Sequence, residues 1–299
     1  MPVVQKPKGT LLQYFADIIF RILIKISRAF PVPLRIRVMG SLLRIIISPI
    51  AGYKKRALDN LNYVYPEMPM REKIRIADAV ADNTGRTFIE NYDILSLKSR
   101  LIDAPIQGEG LIVLEHAQAA GQPVLLVTGH FGNFEAPRAA LVGRGYKVGG
   151  LYRPMTNPYF NKHYADNMHR LSGPVFEQGR RGTSGLLRHI KSGGIGVLLF
   201  DIYDGKGTPI NFLGQPAPTL TSAAEIALKT GAFLIPMFGI RKPDGKSFDI
   251  ILESPIKHSN ALDMTIEMTY RLEVMVKKFP EQWFWIHRRW KPERQITNT

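Results

Sequence analysis

Apolar positions in the first part of the chain recur with the helical period. Over 11–30, Leu11, Leu12, Phe15, Ile18, Ile19, Ile22, Leu23 and Ile26 are interrupted about once per turn by Asp17, Arg21, Lys25 and Arg28, which predicts an amphipathic helix. A bilayer span needs roughly 20 mostly apolar residues. Charge at this density argues against a span and for a helix lying in the headgroup layer. A second basic and apolar stretch, 34–50, follows Pro31 and Pro33 and carries Arg35, Arg37 and Arg44 among Leu42, Leu43, Ile45, Ile46 and Ile47. Two such segments in series predict a monotopic anchor, the alternative being two ordinary helices packed on the core. No small-residue cleavage site follows a clean apolar run, so a removable signal peptide is not expected.

After Pro66 and Pro69, the stretch 70–95 has helical composition and no proline, and is expected to bridge anchor and core. From Glu109 onward the period alternates. Strands are expected at 123–128, 147–152, 195–200, 232–238 and 248–252, with helices near 109–120, 134–143, 158–171, 182–192, 219–230 and 262–278. Such alternation predicts an α/β fold, a central and mostly parallel sheet flanked by helices. The uninterrupted runs Val124-Leu125-Leu126-Val127 and Val197-Leu198-Leu199-Phe200 read as central strands buried on both faces. The expected division is a membrane-association segment at 1–60 and an α/β catalytic domain at 61–299.

Composition narrows the partners. With 299 residues and 45% apolar content the chain can bury a full core. Cysteine is absent, which excludes thiol nucleophiles, disulfides and thiolate metal sites. Forty Lys and Arg against 25 Asp and Glu give a net charge of +15, so an anionic partner is expected: a membrane surface, a nucleic acid or a phosphorylated substrate. Residues 1–60 hold eleven of the basic residues, Lys6 and Lys8 included, against Asp17 and Asp59 alone. Because the excess is concentrated in an apolar segment, an anionic membrane surface is favoured over nucleic acid.

The first central strand runs out through Thr128 and Gly129 into His130-Phe131-Gly132-Asn133-Phe134-Glu135, where a helix should begin. Imidazole suits proton removal near neutrality, and a nearby carboxylate can fix its tautomer. Glu135 is the expected carboxylate. Gly129 and Gly132 suit a tight turn, and the following helix offers unpaired N–H groups to a developing oxyanion.

Several segments in order resemble the late acyltransferases of lipid A biosynthesis, the lauroyl and myristoyl transferase group within the wider lysophospholipid acyltransferases. They are 121–135 with its His-x4-Glu pattern, Tyr152-Arg153-Pro154-Met155-Thr156-Asn157-Pro158, Lys191-Ser192-Gly193-Gly194, the stretch 212–219, and 282–291 with Trp283, Trp285 and Trp290. The resemblance implies a membrane-associated O-acyltransferase on the cytoplasmic face of the inner membrane. It implies transfer from acyl carrier protein or a coenzyme A thioester to a hydroxyl of a lipid acceptor, with His130 as general base and Glu135 as its partner. No cofactor and no metal are expected. The chain has Asp201-Ile202 where relatives commonly have Asp-Gln, and Asn133-Phe134 where they often have Asn-Trp. These departures leave the pair intact and open the acceptor to an aminolipid or another lysolipid.

Around this pair, Arg153 is a candidate for binding the phosphate or phosphopantetheine of a donor, or for a structural ion pair. Arg180 and Arg181, before Gly182 and a helix, could form a phosphate nest or a solvated loop. Asp201 ends the second central strand, to hold an arginine, orient the acceptor or cap the strand. Asn133 and Asn157 read either as hydrogen-bond donors to substrate or as turn residues. The C-terminal tryptophans with Arg288, Arg289 and Lys291 suit a membrane interface or the core equally.

Overall fold

A computed structural model describes residues 9–171 and 173–295; Lys6 and Lys8 of the basic segment lie outside them. Helix α1 (Leu11–Ser27) starts at a reciprocal cap, in which Thr10 Oγ1 accepts from the Gln13 N–H and Gln13 Oε1 from the Thr10 N–H. The helix is amphipathic as expected, with its apolar side turned outward. Leu11, Leu12, Phe15, Ile19, Ile22, Leu23 and Ile26 are exposed, whereas Asp17 and Ile24 are buried. Pro33 lies in the first turn of α2 (Val32–Leu42), which continues through a π-helical stretch (Leu43–Ile47) into α3 (Ser48–Ile50).

Next come α4 (Tyr53–Val64), α5 (Met70–Tyr92) and α6 (Ile94–Leu101). Helices α2 and α5 cross where Gly40 meets Gly85; a Cβ on Gly85 would lie 2.4 Å from the Met39 carbonyl oxygen. Arg28 and Arg35 both reach Asp93, so α1 and α2 are pinned where α5 gives way to α6. The expected division at residue 60 falls inside α4. Ala57 and Leu61 of that helix are fully buried, and Asn60 Nδ2 donates to the carbonyls of Trp285 and His287 at 2.7 and 2.8 Å. The basic segment therefore merges into the core through α4, without a linker.

The rest alternates: β1 (Ile106–Gln107), α7 (Glu109–Ala119), β2 (Val124–Thr128), α8 (Glu135–Gly143), β3 (Val148–Tyr152), α9 (Pro158–Leu171), β4 (Val175–Glu177), α10 (Arg180–Lys191) and β5 (Ile195–Leu199). A hairpin of β6 (Thr208–Phe212) and β7 (Gln215–Thr219) comes after these, then α11 (Ser222–Thr230), β8 (Phe233–Arg241), β9 (Phe248–Leu252), α12 (Ala261–Lys278) and α13 (Pro292–Gln295). Seven strands form one sheet in the order β1-β9-β8-β2-β5-β3-β4. Strands β8, β2, β5, β3 and β4 run parallel, while β9 pairs antiparallel to β8 and parallel to β1. The two runs read as central strands, β2 and β5, lie side by side, with every residue of β2 buried. Apolar clusters cover both faces of the sheet. Residues following the parallel strands consequently collect along one edge.

Candidate active site

Strand β2 ends at Thr128 and β5 at Leu199, paired in register, so His130 and Asp201 emerge next to one another. His130 Nδ1 lies 2.7 Å from Asp201 Oδ1, and the His130 N–H donates to Asp201 Oδ2 at 2.7 Å. The Trp283 indole donates to the same Oδ2 at 2.9 Å. Burial by itself would raise the Asp201 carboxyl, but attraction to His130 and these hydrogen bonds hold it well below the usual carboxylate range. An ionised carboxylate only accepts, so Nδ1 carries the proton and Nε2 is the basic nitrogen.

Here the structure departs from expectation. Glu135, expected to orient the imidazole, begins α8, and its Oε2 accepts from Arg138 at 3.2 Å. The carboxylate on the imidazole is Asp201. Two residues after His130 the chain turns at Gly132 (φ +56°), where a Cβ would lie 2.0 Å from the Gly239 carbonyl oxygen; α8 then leaves in a new direction.

His130 lines an apolar cavity of about 380 Å³ between α5 and the strand ends, walled by Thr87, Phe88, Tyr92, Tyr164, Met155 and Phe284 among others. A chamber of about 30 Å³ adjoins it, with Asn91, Tyr92, Phe134 and Tyr164 shared between the two. Glu135 and Arg138 line the small chamber, not the large cavity. Burial pushes the Tyr92 and Tyr164 hydroxyls far up, so both stay protonated.

The other candidates divide. Arg153 follows β3 and is exposed; Arg180 and Arg181 open α10 after β4, also exposed and on the same edge as His130. Asn157 Oδ1 accepts from the N–H groups of Tyr159 and Phe160, and its Nδ2 donates to the Gln13 carbonyl at 2.7 Å. It caps α9 and ties α1 down, the turn role of the two considered. Asn133 is fully buried, with Nδ2 on Glu90 and Oδ1 on the Glu135 N–H. The three tryptophans pack in the core, since Trp283, Trp285 and Trp290 are all buried.

Sequence reasoning missed Glu90, Asn83, Thr87, Arg241 and Gln282, which surround the turn after His130. One signal was available. Asn83, Thr87 and Glu90 stand at i, i+4 and i+7 on α5, polar residues on a stripe shared with buried Ile76 and Val80. His287 was also passed over. Its Nε2 accepts from the Tyr203 N–H at 2.9 Å, and burial pushes its pKa down to about 4. It anchors the segment just beyond Asp201.

Residues 4–292 match the family described as bacterial lipid A biosynthesis acyltransferase. Among curated proteins, the chain is 27% identical over 239 residues to the lipid A biosynthesis lauroyltransferase of Escherichia coli K12, covering 78% of this chain and 77% of that one. It is 22% identical over 259 residues to a lipid A biosynthesis acyltransferase of Haemophilus influenzae, covering 86% and 81%. A solved 1-acyl-sn-glycerophosphate acyltransferase from Thermotoga maritima aligns at 12% identity and a TM-score of 0.37 over 89% of this chain and 99% of that one. With nearly the whole chain matched, the protein belongs to the bacterial lipid A biosynthesis acyltransferase family.

Proposed function

We propose that the protein is a membrane-associated O-acyltransferase that moves a fatty acyl group from acyl carrier protein or a coenzyme A thioester to a hydroxyl of a lipid A precursor. One observation carries the reading: an imidazole whose Nδ1 is held by a buried carboxylate stands at the wall of an apolar cavity large enough for a lipid chain. His130 Nε2 removes the acceptor hydroxyl proton as the oxygen attacks the thioester carbonyl. The tetrahedral intermediate collapses with cleavage of the C–S bond, and the imidazolium returns its proton to the departing thiolate. Asp201 stabilises the imidazolium without itself accepting the proton. Glu135, in the adjoining chamber with Arg138, holds polar atoms of the acceptor beside the base.

Arg153 and Arg180 serve the donor. In the strand order β2-β5-β3-β4, the ends of β3 and β4 lie about 10 and 15 Å from that of β2 at roughly 4.8 Å per strand. Cations at those distances suit the phosphate of a donor whose thioester has reached His130. Helices α1 and α2 are the anchor. Their outward apolar side chains, with exposed Arg21, Lys25 and Arg37 among them and Arg44 in the π-helical stretch that follows, match the headgroup boundary of an anionic surface. Attachment in this reading is peripheral or monotopic, at the cytoplasmic face of the inner membrane; among the described residues no helix is long and apolar enough to cross a membrane.

The test is transfer of labelled acyl chains from each donor to a panel of lipid A precursors, aminolipids and lysophospholipids. His130→Ala should lose about 10²-fold or more in rate. Wild-type rates in that variant would end the proposed mechanism, and preference for an aminolipid or lysophospholipid would replace the acceptor named here.

A further inference from the structure

The turn that carries His130 has its backbone polar groups taken up one by one. The His130 carbonyl accepts from the Phe284 N–H at 2.9 Å, and the Gly132 N–H donates to the Gln282 carbonyl at 2.8 Å. The Gly132 carbonyl accepts from both Asn83 Nδ2 and Thr87 Oγ1 at 3.1 Å, and the Asn133 N–H donates to the Gly239 carbonyl at 3.0 Å. The Asn133 side chain joins this turn to both α8 and α5. Its Oδ1 accepts from the Glu135 N–H at the start of α8, and its Nδ2 donates to Glu90 Oε2 at 3.0 Å.

Glu90 is almost wholly buried on α5 and receives four donors: Asn133, two from Arg241 at 2.7 and 3.1 Å, and Arg100 at 3.1 Å. Arg241 is itself buried and ties the group together. Its Nε donates to Asn83 Oδ1, its Nη2 also reaches Thr87 Oγ1, and its N–H and carbonyl bond the Gln282 side-chain amide. Thus the two side chains on the Gly132 carbonyl, and the residue bonding the Gly132 N–H, are all oriented by one arginine.

A buried ion pair is a poor source of net stability, because desolvation offsets its attraction and apolar replacements of both partners are often neutral or better. What such a pair supplies is geometry, since each unsatisfied donor or acceptor would cost a buried hydrogen bond. We propose that Glu90, with Arg241 as its counter-ion, is a positioning residue for His130, acting through Asn133 to fix the turn that sets the imidazole. Neither residue lines the cavity or touches the reacting atoms.

The inference rests on the acyl-transfer reading, and the two fail differently. Asn133→Ala removes the joint, and Glu90→Leu with Arg241→Met removes the closest charge pair together, leaving Arg100 partly exposed to solvent and still bonded to the Lys246 carbonyl. Both variants should lose about 10- to 100-fold in kcat, as a base displaced by about an ångström would, with KM for the donor nearly unchanged. The triple variant should be no slower than the worse of the two, because they act through one path. Hydrogen exchange followed by mass spectrometry gives a readout independent of activity. Amides of 130–135 should exchange at least about 10-fold faster and those of α12 at the wild-type rate. Wild-type kcat and wild-type turn exchange in both variants would overturn the proposal, as would activity that falls only in step with the folded fraction. If the wild type transfers nothing to any acceptor, the acyl-transfer reading fails, and the exchange measurement still decides whether Glu90 holds the turn.

Discussion

In the proposed mechanism His130 acts as a base at Nε2 because Asp201 holds the proton at Nδ1, and that assignment can be reversed by one atom. In Asp201→Asn an amide replaces an obligatory acceptor, so the ring is free to turn its basic nitrogen inward. Loss of the correct tautomer should lower kcat by about 10²- to 10⁴-fold, with little effect on donor binding. Steady-state kinetics check this, and a fall below about 10-fold would remove Asp201 from the mechanism. Both residues stood out in the sequence as strand ends. Their pairing did not, because they are 71 positions apart and meet through the adjacency of β2 and β5, which no local pattern encodes. Glu135 is the nearer carboxylate in the chain, and after the Gly132 turn it begins α8 and meets Arg138.

Among the elements, α1 offers the sharpest test, since its exposed side contributes nothing visible to the packed core. Ile19 and Ile22 are 58% and 50% exposed, so Ile19→Asp with Ile22→Asp should leave Tm within about 2 °C while abolishing binding to anionic vesicles in co-sedimentation. Undiminished binding would reject α1 as the anchor. The five strands expected from apolar runs are all present within a few residues, as are the six helices between them. The elements not foreseen have physical excuses. Strands β1 and β4 are two and three residues long, too short for a period to register. The β6–β7 hairpin carries Pro209, Pro216 and Pro218, which argue against a strand by sequence alone and are tolerated in a ribbon outside the main sheet. Helix α4 begins Tyr53-Lys54-Lys55-Arg56, and those charges read as a continuation of the anchor, although Ala57 and Leu61 on its other side enter the core.

For the whole molecule, His287 couples folding to acidity. Folded, its pKa is depressed to about 4 by burial; unfolded, it returns to about 6.5. Between those values the unfolded chain takes up a proton that the folded chain refuses. Stability should be complete above about pH 6.5 and decline as the pH falls towards 4, by about 3 kcal/mol in all. Asp201 shifts in the same sense over a lower range, its contribution intact above about pH 4 and lost only below it. Urea midpoints measured from pH 7 to pH 4 should trace this decline, and His287→Gln should flatten it. An unchanged slope in that variant would assign the pH dependence to other groups.

All three tryptophans of the chain lie in a single knot, with ring centroids 4.9 to 6.0 Å apart, and one of them donates its indole proton to Asp201. Intrinsic emission from this protein is therefore a local spectrum, reporting the floor beneath His130 and nothing of the distant amphipathic helices. A ligand that perturbs Asp201 would change the emission without any label. Fluorescence and far-ultraviolet dichroism, followed through the same denaturation, would part company if α1 and α2 let go before this corner did.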